Sequence, residues 1–288
     1  MSDPSSGSGD LTGTVAVVTG ATRGVGKAAA VELAKAGADV VVVGRSTKER
    51  PDKYAPGTLE EIVEHLKGEG VDALAVQADL TDGEQVAGIA EQTLAWKGRC
   101  DLLVNNAAYT SNGPILQVAP RKWNLGFQMQ VSTPLQLCQL LVPGMLERGH
   151  GHVINVGTRA AVEFMPDMSL YGTTKAAQEA FTRWLHFEHG GKGVSFNVYR
   201  INTVVTTEGW RTVLEQQGEA IAMGGFSVDE LVSPEECGQQ IVWMAQQPTD
   251  WSGHAVTIPE IRELSGRGAP PAEVHDAADL AHLKPSGS

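Results

Sequence analysis

Apolar positions along the chain follow two alternating patterns. Short β-branched or continuously apolar runs occupy 15–19, 40–43, 73–77, 102–105, 153–156, 194–199 and 255–258. Such runs predict strands, and one that is apolar at every position, as at 40–43, predicts a strand buried on both faces. Between them, 24–36, 59–66, 84–96, 121–147, 171–186 and 234–245 read as helices. Gly37 stops the first helix, and Ser233 followed by Pro234 opens the last. Pro134 and Pro143 are expected to interrupt the long 121–147 segment. Strand and helix alternating in this way predict an α/β fold, a doubly wound parallel sheet of about seven strands with helices on both faces. No repeat or linker divides the chain, so one domain is expected over 11–261. Segment 1–10 is expected to be a disordered tail, and 262–288 a tail that is disordered or packs on a neighbouring subunit.

Charge and composition narrow the partners. A net charge of −12 over 288 residues argues against nucleic acid and anionic membrane as partners. It leaves room for a nucleotide, because a local Gly-rich loop binds phosphate even on an acidic protein. Cys100, Cys138 and Cys237 lack Cys-x-x-Cys spacing, so no metal site or disulfide framework is expected and the thiols read as buried and reduced. The first ten residues lack the apolar core of a signal peptide, and no apolar run reaches membrane-spanning length. A cytoplasmic protein is expected.

Two patterns carry chemistry. Tyr171 and Lys175 stand four apart on a predicted helix and so project from one face. An ammonium beside a phenol favours the phenolate and lowers its pKa from about 10, which makes a usable acid or base. The second pattern follows the first strand and opens the first helix: Thr19, Gly20, Ala21, Thr22, Arg23, Gly24, Val25, Gly26. Glycines there allow close backbone approach to a pyrophosphate, and the helix N-terminus offers N–H groups and a positive dipole end.

This glycine spacing, Asn105-Asn106-Ala107-Ala108 after the fourth strand, and the Tyr171/Lys175 pair together resemble the short-chain dehydrogenase/reductase family over about 11–259. The resemblance implies a Rossmann-type fold and a nicotinamide cofactor. It implies cofactor contacts from Gly20, Thr22, Arg23, Gly24, Val25, Gly26, Asn106, Ala107, Ala108, Tyr171 and Lys175, and from Asp79 and Leu80 at the adenine. It makes Tyr171 the general acid/base and Lys175 the group that tunes it and holds the nicotinamide ribose. Thr158 stands where the family has a Ser that orients the substrate oxygen, and Gln130 where it has an Asn supporting a proton relay. The longer Gln side chain either serves that relay with shifted geometry or marks a reaction that tolerates a slower one.

At the end of the second strand, Gly44 stands where an NAD-preferring site carries an acid, and Arg45 follows. With Arg23, Arg45 is expected to pair with a 2′-phosphate, so NADP(H) is expected over NAD(H). Ile201 and Asn202 replace the family's Pro-Gly; Val204 and Thr206 fit its nicotinamide-amide contacts, and Asn202 is a residue that tolerates the left-handed backbone and so partly replaces the Gly. Segment 207–227 reads as a mobile lid or as a helical excursion packed on the core. Tyr109, Phe164, Met168 and Trp210 are expected to wall a fairly hydrophobic substrate. Segment 46–57 is assigned to surface structure at the adenine end. The expected activity is hydride transfer between NADP(H) and a ketone or secondary alcohol. The alternatives are an NADP(H)-binding enzyme for epimerisation or elimination, and a cofactor-binding protein without turnover. A homotetramer or homodimer is expected, formed by the long helices around the fifth strand, with Trp184, Leu185 and Phe187 at the contact.

Overall fold

The computed structural model describes residues 10–52, 57–208, 210 and 231–267. Its strands are β1 (Val15–Thr19), β2 (Asp39–Gly44), β3 (Ala73–Gln77), β4 (Leu102–Asn105), β5 (Gly151–Thr158), β6 (Val194–Ile201) and β7 (Ala255–Thr257). They form one sheet in the order β3-β2-β1-β4-β5-β6-β7, and every pairing is parallel. The chain reverses its direction of travel across the sheet between β1 and β4, which opens a crevice at the carboxyl ends of those strands.

Side-chain alternation onto two covered faces explains why the strands are mostly apolar along their length. Val18, Val40, Val42, Val104 and Ile154 pack into the core on one face. Val17, Val41, Val43, Leu103 and Val153 pack into the core on the other. Helices α1 (Gly24–Lys35), α2 (Leu59–Gly68), α3 (Gly83–Lys97), α4 (Pro120–Phe127), α5 (Thr133–Arg148), α6 (Ser169–His189), α7 (Pro234–Ala245) and α8 (Ile258–Arg267) cover these faces. Helices α1 and α7 approach closely because Gly238 has no side chain; a Cβ there would lie 2.6 Å from the Ala28 carbonyl oxygen.

The expected 121–147 helix is instead α4, a π-helical turn Gln128–Ser132, and α5. Pro134 has no N–H to continue the α pattern, and the Thr133 N–H bonds the Gln128 carbonyl at π spacing. Pro143 does not interrupt α5; it removes one backbone bond from a helix that buries Leu137, Leu141, Val142 and Met145. Helix α8 crosses the expected tail boundary at 262, anchored by buried Ile258 and Ile261. The expected tails over 1–9 and 268–288 lie outside the described residues, as does most of the expected lid.

Among the described residues, no helix is long and apolar enough to cross a membrane and no cluster of metal-ligating side chains occurs. The three cysteines are buried and unpaired, and burial pushes the Cys138 thiol up to about 12 and the Cys237 thiol up to about 11.

Candidate active site

The β1–α1 loop and the end of β4 are tied together by one buried hydroxyl. Thr19 Oγ1 accepts the Asn106 and Ala107 N–H groups at 3.0 and 3.1 Å and donates to the Val104 carbonyl at 3.3 Å. The Asn106 amide returns to the Thr19 and Gly20 carbonyls at 2.9 and 3.3 Å. Gly20 and Gly24 take positive φ, at 66° and 53°. A Cβ on Gly26 would lie 2.3 Å from the Gly20 oxygen, so the turn closes only over bare backbone.

Helix α1 starts without a side-chain cap from Arg23, whereas α2, α3 and α7 are capped by Thr58, Asp82 and Ser233. The Gly24 N–H is bonded by a distant carboxylate, Glu208, at 3.1 Å. A helix start that its own N-cap residue leaves unbonded, over a glycine turn, is an anion cradle already drawing one carboxylate, so the loop fits a dinucleotide diphosphate.

This loop forms one end of a cleft of about 720 Å³. Gly20, Thr22, Arg23, Gly24, Val25 and Gly26 line it, with Arg45, Asp79 and Leu80 further along and Asn106, Ala107, Ala108 and Tyr109 on its β4 side. Thr158, Tyr171 and Lys175 line the same cleft. Asp79 accepts from the Thr81 N–H and hydroxyl, which, with the nearby Arg45, hold its carboxyl below the usual range. Arg23 and Arg45 are exposed, and neither forms an ion pair among the described residues.

The expected pair meets at the cleft, but not in the expected electrostatic relationship. Lys175 is fully buried; its Nζ lies 6.0 Å from the centre of the Tyr171 ring. It donates to the Val156 carbonyl at 2.6 Å and to Gln178 Oε1 at 2.9 Å. Burial drives its ammonium down to about 7, against the pull of Glu179. Desolvation pushes the Tyr171 phenol up to about 12 rather than down. Loss of water outweighs a lysine whose donors are directed at Val156 and Gln178.

Thr158 ends β5 half-buried, and its hydroxyl also accepts the Ala160 N–H at 3.4 Å. Gln130 does not line the cleft. It is fully buried in the π-helical turn; its Oε1 accepts the Tyr109 N–H at 3.0 Å and its Nε2 donates to Thr174 Oγ1 at 2.6 Å. It thus ties the loop after β4 to α6, and its amide is not bonded to Lys175.

Thr206 is likewise turned away: its N–H bonds the Val232 carbonyl at 2.9 Å and its hydroxyl lies 3.4 Å from the same oxygen. After β6, Thr203, Val205 and Thr207 line the cleft instead, followed by Glu208. Asn202 does not take the left-handed backbone; Asp167, at φ 59°, is the one non-glycine that does among the described residues.

Of the expected substrate wall, only Tyr109 lines the cleft. Phe164 is 97% exposed, and Met168 and Trp210 are half-buried outside the lining. Leu125 and Met129 supply apolar wall in their place, from α4 and the π-helical turn. Ser46, Asp52 and Gly57 also line the cleft, so part of the 46–57 link is more than surface structure.

Comparison with known proteins adds to this geometry. The sequence profile described as "short chain dehydrogenase" matches residues 14–218. A fatty acyl-CoA reductase of Mycobacterium tuberculosis is 35% identical over 188 residues, 64% of this chain and 61% of that protein, so the match spans less than two thirds of that relative. A 3-oxoacyl-(acyl-carrier-protein) reductase of Pseudomonas aeruginosa is 30% identical over 235 residues, 82% of this chain and 91% of the relative. Among solved structures, L-sorbose reductase from Gluconobacter frateurii, complexed with NADPH and L-sorbose, superposes with a TM-score of 0.77 at 29% identity, covering 87% of this chain and 96% of that one.

Proposed function

The chain belongs to the short-chain dehydrogenase/reductase family of nicotinamide-dependent oxidoreductases, and from that premise we propose an NADP(H)-dependent reductase of a ketone, or dehydrogenase of a secondary alcohol, on a fairly hydrophobic small molecule. The observation that carries this reading is the single cleft shared by the β1–α1 glycine loop, Thr158, Tyr171 and Lys175.

The residues present fit the dinucleotide. The bare turn at Gly20, Gly24 and Gly26 and the start of α1 would hold the diphosphate; Asp79 and Leu80 would flank the adenine; Asn106, Ala107, Ala108 and Lys175 would border the nicotinamide ribose. Gly44 favours the 2′-phosphorylated form. A Cβ there would lie 2.7 Å from Thr22 Cγ2, which leaves no space for the carboxylate that binds ribose hydroxyls in NAD sites. The exposed guanidiniums of Arg45 and Arg23 suit a phosphate.

When bound, the nicotinamide supplies the hydride that reduces the substrate carbon. Tyr171 delivers its phenolic proton to the carbonyl oxygen, and a phenol held neutral at pH 7 is loaded for that step. The Thr158 hydroxyl donates to the same oxygen and orients it. The Lys175 ammonium favours the phenolate left on Tyr171. Tyr109, Leu125 and Met129 exclude water and take the apolar part of the substrate.

A second reading, an NADP(H)-binding enzyme for epimerisation or elimination, is favoured by Gln130, whose amide is spent on Tyr109 and Thr174 rather than on a relay to Lys175. A screen of aromatic, terpenoid, steroid and acyl ketones, following NADPH consumption by wild type and Tyr171→Phe, separates the readings. Consumption lost in Tyr171→Phe supports the reductase. Tight NADPH binding with neither NADPH consumption on ketones nor NADP+ reduction on alcohols sinks it, and NADH bound as tightly as NADPH sinks the cofactor preference.

A further inference from the structure

The buried environment of Lys175 contains a side chain whose chemistry exceeds what packing needs. Gln178 lies one turn along α6 and is 1% exposed. Its Oε1 accepts from Lys175 Nζ at 2.9 Å, and its Nε2 is buried with no hydrogen-bond partner. An orphaned buried donor destabilises a fold, and an apolar side chain of the same length avoids that cost. What Gln178 offers that such a side chain lacks is the oxygen held against the lysine.

We infer that Gln178 is a positioning residue for Lys175: its side-chain oxygen and the Val156 carbonyl grip two of the three ammonium donors and aim the third at the cleft. The catalytic meaning of that grip rests on the oxidoreductase reading above; the grip itself does not. Val156 belongs to β5 and Gln178 to α6, so the lysine is clamped between sheet and helix. The helix side of the clamp is pinned. The Gln178 carbonyl accepts from Thr182 Oγ1 at 2.7 Å, Thr182 Oγ1 accepts from Asn155 Nδ2 at 2.8 Å, and Asn155 Oδ1 accepts from Asn105 Nδ2 at 2.9 Å. One buried polar chain therefore links the turn carrying Gln178 to β5 and β4.

The other groups around Lys175 do not replace this acceptor. Tyr171, on α6, is an O–H at neutral pH. Glu179, also on α6, directs both carboxylate oxygens at Arg200 of β6, at 3.0 and 2.7 Å. That carboxylate pulls on the Lys175 ammonium through space without bonding it, so the oxygens that accept from Lys175 are the two neutral ones.

An oxygen that accepts from an ammonium favours the charged form. Removing the Gln178 oxygen therefore lowers the pH at which Lys175 loses its proton, and a carboxylate in its place raises it. The test is lysine 13Cε NMR titration of the full chain as wild type, Gln178→Met and Gln178→Glu, with Lys175→Met to assign the signal and far-UV circular dichroism melts to verify folding. The expected result is an acid shift of the Lys175 midpoint by about one pH unit in Gln178→Met. Gln178→Glu shifts it alkaline. An unmoved midpoint in folded Gln178→Met overturns the inference. Should Gln178→Met fail to fold, an unmoved midpoint in Gln178→Glu overturns it and an alkaline shift supports it. The titration needs neither cofactor nor substrate, so absence of turnover would sink the reductase reading without touching this one.

Discussion

Glu208, in the segment that follows β6, bonds the Gly24 N–H at the start of α1 across 3.1 Å. A carboxylate from one end of the cleft thus sits on the helix terminus proposed for the cofactor diphosphate at the other. Two anions at one helix start repel each other and compete for its N–H groups. Glu208→Gln keeps the length and removes the charge. NADPH should then bind about three- to tenfold tighter, equivalent to roughly 1 kcal/mol of relieved competition, as read by isothermal titration. Weaker binding in the variant would show that Glu208 supports the cofactor rather than opposing it.

Arg45 and Gly44 set the cofactor preference in the proposed reading. Arg45 is exposed beside Asp79, and charge-assisted contacts of this kind contribute about 1.5–3 kcal/mol. Arg45→Ala should raise the NADPH dissociation constant by roughly ten- to a hundredfold and leave that for NADH within about twofold. Fluorescence titration with both nucleotides checks this. Equal losses for the two would place Arg45 at the adenine or the diphosphate instead of a 2′-phosphate.

Much of the fold is legible in the sequence because both sheet faces are covered, which makes the strands runs of mostly apolar residues. The phosphate loop is legible for a similar reason: only glycine satisfies the contacts at Gly26 and the φ at Gly20 and Gly24. The parts that sequence reasoning misses depend on direction rather than residue type. Thr206 and Thr207 are equivalent as letters, yet the Thr206 N–H is tied to the Val232 carbonyl while Thr207 lines the cleft. Alternation along 203–207 is the signal that separates them. Gln130 has the amide of the residue it replaces, yet its partners, Tyr109 and Thr174, lie on segments far away in sequence. The Tyr171 phenol shows the same limit: helical spacing predicts a neighbouring ammonium, and tertiary contacts decide where that ammonium points. Helix α8 escapes notice because its buried anchors Ile258 and Ile261 stand in a stretch leading into Gly and Pro, and its other tie, Arg262 to Glu236 of α7, joins segments apart in sequence.

Trp184 and Phe187 stack edge-to-face on the outer side of α6, with ring centroids 5.7 Å apart and exposures of 63% and 78%. Leu140 of α5 is 40% exposed. Large aromatic side chains left open to water mark a contact surface, and we propose a homodimer or homotetramer built through α5 and α6. Trp184→Glu with Phe187→Glu should shift light-scattering mass to that of one chain while leaving the circular dichroism spectrum unchanged. An unchanged mass above that of one chain moves the interface elsewhere, and a wild-type mass of one chain removes the assembly proposal.

Lys175 makes stability depend on pH with a definite sign. Its ordinary value of 10.5 falls to about 7 on folding, with burial the first cause. Between those values the unfolded chain holds more protons than the folded one, so raising the pH favours the folded state. Below pH 7 both states carry the ammonium and the full burial penalty stands; above about 10 the penalty has faded. Lys175→Met removes the penalty at every pH. The variant should therefore melt higher than wild type at pH 6, with the gap closing steadily as pH rises from 7 to 10. Melting curves at several pH values, extrapolated to equal salt, give the comparison. A gap that stays constant with pH would mean that Lys175 keeps its ordinary value and that the Val156 and Gln178 oxygens fully replace the water it has lost.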